Sequence, residues 1–356
     1  MTAMNPRGLR QASAAIAAVV AIAALATLAV RAAGDGESER VTVEVPTTIT
    51  VTADPTNLPA SFDHYVALGD SYAAMGSATG PFSGPAFCAR SDDNYPHQLA
   101  EMYPGINKRR GFTDATCQGS TTAHITGDRD TTGEDVPAQV REVASSAAAT
   151  STESTWFTGV LSDEPTNPAP DMISAQIDAL EPDTDLVTLS LGGNDMSFGP
   201  WSRCLTGMFT ERGEADCDDG LYDDTARALV ELPTRLDAVY AAIQDKAPDA
   251  TIITTGYMPL MSMQDECDAT ADLPGGTLNW AAGLTVTMNA IVRDAAARNG
   301  ALFVTPPNAD FHSVCAPANE RWTDPTGEQT DSFAAHPTAA GQKAMAEAII
   351  DVLSKL

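Results

Sequence analysis

The chain has 356 residues, 43% of them hydrophobic, enough for one large core or two small ones. Against 20 Lys and Arg stand 48 Asp and Glu, a formal net charge of -28. The acidic groups are spread along the chain rather than held in one tail, which argues against nucleic acid and anionic lipid headgroups as partners, since both need a basic surface; the acidity reads as solubility.

In chain order, Arg7 and Arg10 precede a nearly unbroken apolar run from Ala14 to Val30, and Arg31-Ala-Ala-Gly-Asp-Gly36 follows it. A basic flank, an apolar stretch and small residues behind it make residues 1–33 an export signal. The run is also about long enough to span a bilayer, so a retained anchor competes with cleavage near Ala32 or Ala33. Either outcome puts the rest of the chain outside the cytoplasm, secreted or tethered. Residues 34–60 carry Pro46, Pro55 and Pro59 without helical periodicity and read as an extended linker. The alternation from Val41 to Val45 offers an added edge strand as the alternative.

From residue 61 to 356 short apolar runs alternate with helical stretches, the pattern of an α/β domain with a parallel sheet. The strand runs are Tyr65 to Leu68, a weak one at Gly111 to Thr116, Leu186 to Leu191, Thr251 to Thr255 and Leu302 to Thr305. A helix is expected from about Asp223 to Lys246, with Pro233 as a kink. Two further helices show apolar stripes at helical spacing: Leu284, Met288, Ile291, Val292 and Ala295, then Met345, Ile349, Val352, Leu353 and Leu356. These stripes are core faces. Between the elements, Ala78 to Asp93, Gly127 to Asp163, Trp201 to Asp219 and Asp265 to Gly276 read as long irregular insertions.

Six cysteines suit an exported chain, and no C-x-x-C spacing points to zinc or a redox dithiol. Sequence alone does not choose among their pairings. The nearest-neighbour scheme closes the smallest loops: Cys88 with Cys117, Cys204 with Cys217, Cys267 with Cys315.

Ligands of parallel α/β sheets gather at the carboxyl ends of the strands, so residues just after each apolar run are the informative ones. They are Gly69-Asp70-Ser71, Cys117-Gln-Gly119-Ser-Thr121 and Gly192-Gly-Asn194-Asp195, with His336-Pro-Thr338 ahead of the last helix. A hydroxyl nucleophile needs a base and a set of donors where charge develops on the attacked carbonyl. Ser71 would attack and His336 would take its proton. The Ser71 and Gly119 main-chain NH groups and the Asn194 amide would meet the oxyanion. Each piece alone has a plainer reading: Ser71 as a helix cap, Asn194 in an ordinary turn, His336 as a polar loop residue. Asp70 and Asp195 read as structural, holding loops through backbone NH groups.

The four blocks in this order, from about residue 61 to the end, resemble the SGNH hydrolases, the GDSL family of lipases and esterases. The resemblance implies a three-layer α/β/α, flavodoxin-like fold with a five-stranded parallel sheet, and a serine exposed in a shallow site. It makes Ser71 the nucleophile, His336 the base, and Ser71, Gly119 and Asn194 the oxyanion hole, with no metal and no organic cofactor. Three sequential disulfides would resemble those of exported actinobacterial lipases of the family. One block departs from the D-x-x-H pattern, because Phe333 stands three residues before His336. Some relatives use a main-chain carbonyl there, so the Phe333 carbonyl is expected to orient the imidazole, with Asp331 and Asp324 as runners-up, giving a Ser-His dyad.

The expectation is therefore an exported, monomeric carboxylic ester hydrolase acting on acyl lipids, an idea favoured by Met75, Met196 and Phe198 near the site. Two alternatives stand beside it: a deacylase or acyltransferase acting on cell-envelope glycans or glycolipids, and a non-catalytic envelope binding protein on the same scaffold.

Overall fold

Strands form where β-branched and aliphatic residues run continuously, as expected of strands buried on both faces. In the computed structural model, which describes residues 61–106, 111–132, 172–209, 219–273 and 276–356, three such runs form the centre of one five-stranded sheet, flanked by two shorter, partly exposed edge strands. The five are β1 (Tyr65–Gly69), β2 (Phe112–Asp114), β3 (Leu186–Ser190), β4 (Thr251–Thr255) and β5 (Leu302–Val304). Their order is β2-β1-β3-β4-β5 and all neighbours are parallel, with Tyr65 opposite Leu186 and Gly69 opposite Ser190. This is the doubly wound order in which the crevice lies at the carboxyl ends beside β1. The signal or anchor reading of residues 1–33, the linker at 34–60 and its edge-strand alternative lie outside the described residues.

Alternate side chains of β1 serve opposite faces. Val66 and Leu68 join Val187 and Leu189 under helix α5 (Asp219–Lys246) and helix α6 (Thr277–Arg298), where Leu232, Leu236, Val239 and Ile243 meet Met288, Val292 and Ala295. Tyr65 and Ala67 face the other way, against Tyr95 and Leu99 of α2 (Tyr95–Met102) and Met345, Ile349 and Leu353 of α7 (Ala339–Leu353). Both predicted stripes are thus core faces, except that Leu356 lies past the end of α7 and is exposed. Pro233 sits inside α5.

One insertion is not irregular. Phe198–Met208 forms helix α4, although the sequence reading placed a loop from Trp201. Pro200 is tolerated because it falls in the first turn, where its missing NH has no helical acceptor. Trp201, Cys204 and Leu205 then recur at helical spacing and are buried. Disulfides join Cys88 to Cys117 and Cys267 to Cys315. Cys204 is also disulfide-bonded, and Cys217 lies outside the described residues. Among the described residues no helix is long and apolar enough to cross a membrane.

Candidate active site

The end of β1 shows how the sequence places its serine. Gly69 has φ +149, and a Cβ there would stand 2.5 Å from the Ser190 carbonyl oxygen of β3, so only glycine lets the two strands finish side by side. The Asp70 NH donates to that same carbonyl at 2.9 Å. Gln176 pairs with Gly69 as a further strand would: its Oε1 accepts the Gly69 NH at 2.7 Å and its Nε2 donates to the Gly69 carbonyl at 2.9 Å. Asp70, not Ser71, is the N-cap of helix α1 (Ser71–Ala74), its Oδ1 accepting the Tyr72 NH at 2.9 Å. Ser71 is left as the first helical residue.

A helix of four residues cannot hold itself. Its carbonyls are instead taken from outside. Asn94, the N-cap of α2, donates to the Ala74 carbonyl at 3.2 Å, and the fully buried Gln342 of α7 donates to the carbonyls of Tyr72 and Met75. The turn carrying Ser71 is thereby locked to both helices on one face of the sheet.

His336 comes to this serine from the far end of the chain, on a two-residue strand, His336–Pro337, paired with Thr323–Asp324. Its Nε2 lies 2.8 Å from Ser71 Oγ, and its Nδ1 lies 2.7 Å from the Ala334 carbonyl oxygen. The orienting acceptor is therefore a main-chain carbonyl, but of Ala334 and not of Phe333. The reason is local. Ala335 adopts φ 62, a left-handed turn that costs a non-glycine residue about 1 to 2 kcal/mol, and this reversal swings the Ala334 carbonyl under the ring. The Phe333 carbonyl is engaged by the His336 main-chain NH at 3.1 Å, while its side chain is buried against Phe82.

Neither aspartate alternative reaches the imidazole. Asp331 accepts from Thr79 Oγ1 at 2.5 Å, and Asp324 accepts from Thr330 Oγ1 at 2.9 Å and pairs with Arg321 at 3.2 Å. Asp331→Ala is accordingly expected to leave kcat within about twofold of wild type, as read by steady-state hydrolysis of a nitrophenyl ester; a loss beyond about tenfold would restore the carboxylate to the mechanism.

With no carboxylate beside it, burial dominates the imidazole and pushes His336 down to about 4, the Ala334 hydrogen bond pulling weakly the other way. The ring is walled by Tyr72 and Phe198, each with its centroid 5.7 Å away. Ser71 keeps only 4% of its surface, so the serine is more enclosed than the shallow, exposed site the resemblance implied. Of the three apolar residues expected nearby, Phe198 lines the site, whereas Met75 and Met196 are core residues.

Two loops meet each other beside the end of β1. Gly119 follows β2 with φ 71, and its loop is fixed by the Cys88–Cys117 disulfide, by the Cys117 NH on the Gly69 carbonyl at 3.0 Å and by Arg129 Nη1 on the Gln118 carbonyl at 2.6 Å. A Cβ at Gly119 would stand 2.9 Å from the Arg129 guanidinium. Asn194 follows β3, and its Nδ2 donates to the Ser120 carbonyl at 2.9 Å, which spends one amide hydrogen and aims the other. Among the described residues neither the Ser71 nor the Gly119 main-chain NH donates to a protein acceptor. Asp195 accepts the Thr122 NH at 2.9 Å and so ties the second loop to helix α3 (Thr122–Thr126). Asp70 and Asp195 are structural, as their sequence positions suggested.

Three features escaped the sequence reading. Gln176 and Gln342 are buried side chains that hold the nucleophile turn. The third is Tyr257, just after β4, whose hydroxyl accepts the Gly193 NH at 2.9 Å and donates to Asp70 Oδ2. Burial raises the Asp70 carboxyl to about 7 against the pull of the Tyr257 and Tyr72 donors. A cavity of about 390 Å³ opens beside Asn194, lined also by Thr121, Thr122, Asp195 and Arg235. A larger one of about 840 Å³ runs along Thr79, Asn319, Thr330 and Asp331 and includes none of the four site residues.

The chain resembles known proteins in sequence and in fold. The chain is 30% identical over 318 residues to Lipase 2 of Streptomyces coelicolor, covering 86% of this chain and 91% of that one. It is 26% identical to a lipase of Streptomyces rimosus, over 78% and 82% of the two chains. The fold superposes on the extracellular lipase of Streptomyces rimosus with TM-score 0.56 at 22% identity, covering 82% of this chain and 99% of that one. On phospholipase A1 of Streptomyces albidoflavus it superposes with TM-score 0.55 at 23% identity, covering 83% and 100%. The model of the GDSL-like lipase/acylhydrolase family matches residues 67–344, which takes in all four blocks of the site, and the chain belongs to that family.

Proposed function

We propose that this carboxylic ester hydrolase works through an acyl-enzyme on Ser71, with His336 as base and then acid. The observation that carries the assignment is the pair of contacts on one imidazole, 2.8 Å to Ser71 Oγ and 2.7 Å to the Ala334 carbonyl. Because the carbonyl can only accept, it fixes the proton on Nδ1 and leaves the Nε2 lone pair facing the serine. Oγ attacks the ester carbonyl while Nε2 takes the hydroxyl proton. The oxyanion is met by the Ser71 and Gly119 NH groups and the Asn194 amide. Collapse breaks the bond to the leaving alkoxide, which recovers the proton from Nε2. Water then repeats the sequence on the acyl-enzyme, its proton passing through His336 before returning to Oγ.

The substrates assigned are lipid acyl esters, with the acyl chain against Phe198 and Tyr72, the apolar walls beside the catalytic imidazole. The names of the relatives, lipases of Streptomyces among them, support this, and the extracellular lipase of Streptomyces rimosus supports export. A fluorophosphonate probe is expected to label the wild-type chain and not Ser71→Ala; an unlabelled wild type sinks the acyl-enzyme route. A nitrophenyl ester series separates lipid from glycan substrates, since turnover of acetate alone would favour the deacylase reading.

The depressed imidazole sets the acid limb of the activity. Catalysis requires neutral His336, and a group held at about 4 stays neutral at pH 5 to 6, where a free imidazole near 6.5 would be mostly protonated. The kcat/KM profile is expected to hold through pH 5.5 and to fall as pH drops through about 4. An acid limb near 6.5 would mean that the ring is solvated or paired with an anion.

A further inference from the structure

Each of the four strand ends β2, β1, β3 and β4 delivers one polar group to the crevice, yet the mechanism uses only those from the first three. The fourth is Tyr257. Its ring is 3% exposed and packs on Tyr72 at 4.8 Å, and its backbone is clamped by Asn289 of α6, which accepts the Tyr257 NH at 2.7 Å and donates to its carbonyl at 2.8 Å. So held, its hydroxyl has one place to be. It accepts the Gly193 NH at 2.9 Å and donates to the Asp70 carboxylate.

Those two partners are the immediate neighbours of two oxyanion donors. Asp70 precedes Ser71 and caps its helix; Gly193 precedes Asn194. The Gly193 carbonyl is likewise engaged, by the Met196 NH at 3.2 Å and the Phe198 NH at 3.0 Å, so the residue that leads into Asn194 is pinned on both sides. The fit is close: a Cβ on Gly193 would stand 3.1 to 3.3 Å from the Tyr257 ring and hydroxyl.

We propose that Tyr257 is a positioning residue for the oxyanion hole, its single hydroxyl setting the spacing between the Ser71 turn and the Asn194 turn. The proposal rests on Asn194 being an oxyanion donor. Tyr257 touches no reacting atom; it acts by where it holds Asn194. Misplacing a donor by a fraction of an ångström weakens a bond made in the transition state and leaves ground-state binding nearly alone.

A double-mutant cycle on the full chain reads this directly. Tyr257→Phe is expected to lower kcat about tenfold with KM within about twofold. Placed on Asn194→Ala, the same change should cost less than about twofold, because the donor it positions is gone. An equal loss in both backgrounds, or a raised KM with unchanged kcat, would overturn the assignment and leave the hydroxyl a structural group. If Asn194→Ala itself leaves kcat unchanged, the oxyanion reading fails first, and that is a different result. Should Tyr257→Phe not fold, Gly193→Ala makes the same test, since Gly193 has ordinary helical angles (φ -58, ψ -46) and the three atoms nearest its new methyl all belong to the tyrosine. Its kcat loss should likewise vanish on Asn194→Ala, and persistence there would count against the proposal.

Discussion

Ser71→Ala is expected to lower kcat by roughly 100,000-fold while the melting temperature stays near that of wild type. The hydroxyl's contact is with His336, so alanine loses one hydrogen bond and no packing. Alanine also suits the first helical position, since the cap is Asp70. His336→Ala should cost about as much, and the double variant scarcely more than either, because nucleophile and base act as one unit. Residual turnover above solvent would come from the oxyanion donors and from binding. Steady-state kinetics with active-site titration checks this. If the two losses simply added, Ser71 and His336 would be acting independently, and the 2.8 Å contact between them would be incidental.

Asn194→Ala comes second, with an expected fall in kcat of about 100- to 1,000-fold and little change in KM. The amide meets charge that exists only once the carbonyl has been attacked, so substrate binding does not depend on it. Its bond to the Ser120 carbonyl goes as well, at a cost to stability of about 1 kcal/mol. A thermal melt separates that small structural loss from the kinetic one. Asn194→Asp should be at least as harmful, since it sets a negative charge where the oxyanion forms. Loss expressed in KM with kcat retained would remove Asn194 from the oxyanion hole.

What the sequence disclosed and what it hid have a common cause. The three central strands were legible because each is a run of residues buried on both faces, the edge strand β2 (Phe112-Thr-Asp114, half-exposed) only weakly so, and the site blocks because a parallel sheet sends its strand ends to one crevice. Helix α4 was hidden by Gly199, Pro200 and Gly207, residues that speak for a loop until Trp201, Cys204 and Leu205 are seen packing. The Ala334 carbonyl was hidden for a plainer reason. Every residue carries one, and only the backbone angle at Ala335 says which carbonyl faces the ring. Gln176 lies 107 residues from Gly69, and Gln342 lies 270 from Tyr72. A lone polar side chain at such separations leaves no pattern along the chain, and Tyr257 is the same case.

The span between Ser71 and His336, 265 residues, has a consequence for the order of events during synthesis. Long-range contacts form late, because closing so large a loop has to be compensated by packing already in place. His336 rides on the segment that leads into α7, the most C-terminal of the described elements, and Gln342 in that helix also holds the turn that carries Ser71. A polypeptide emerging amino end first, from a ribosome or through a translocation channel, therefore displays Ser71 without its proposed base until helix α7 docks. On the proposed mechanism hydrolytic power switches on only once α7 has docked, and a chain truncated before His336 would be an inert one.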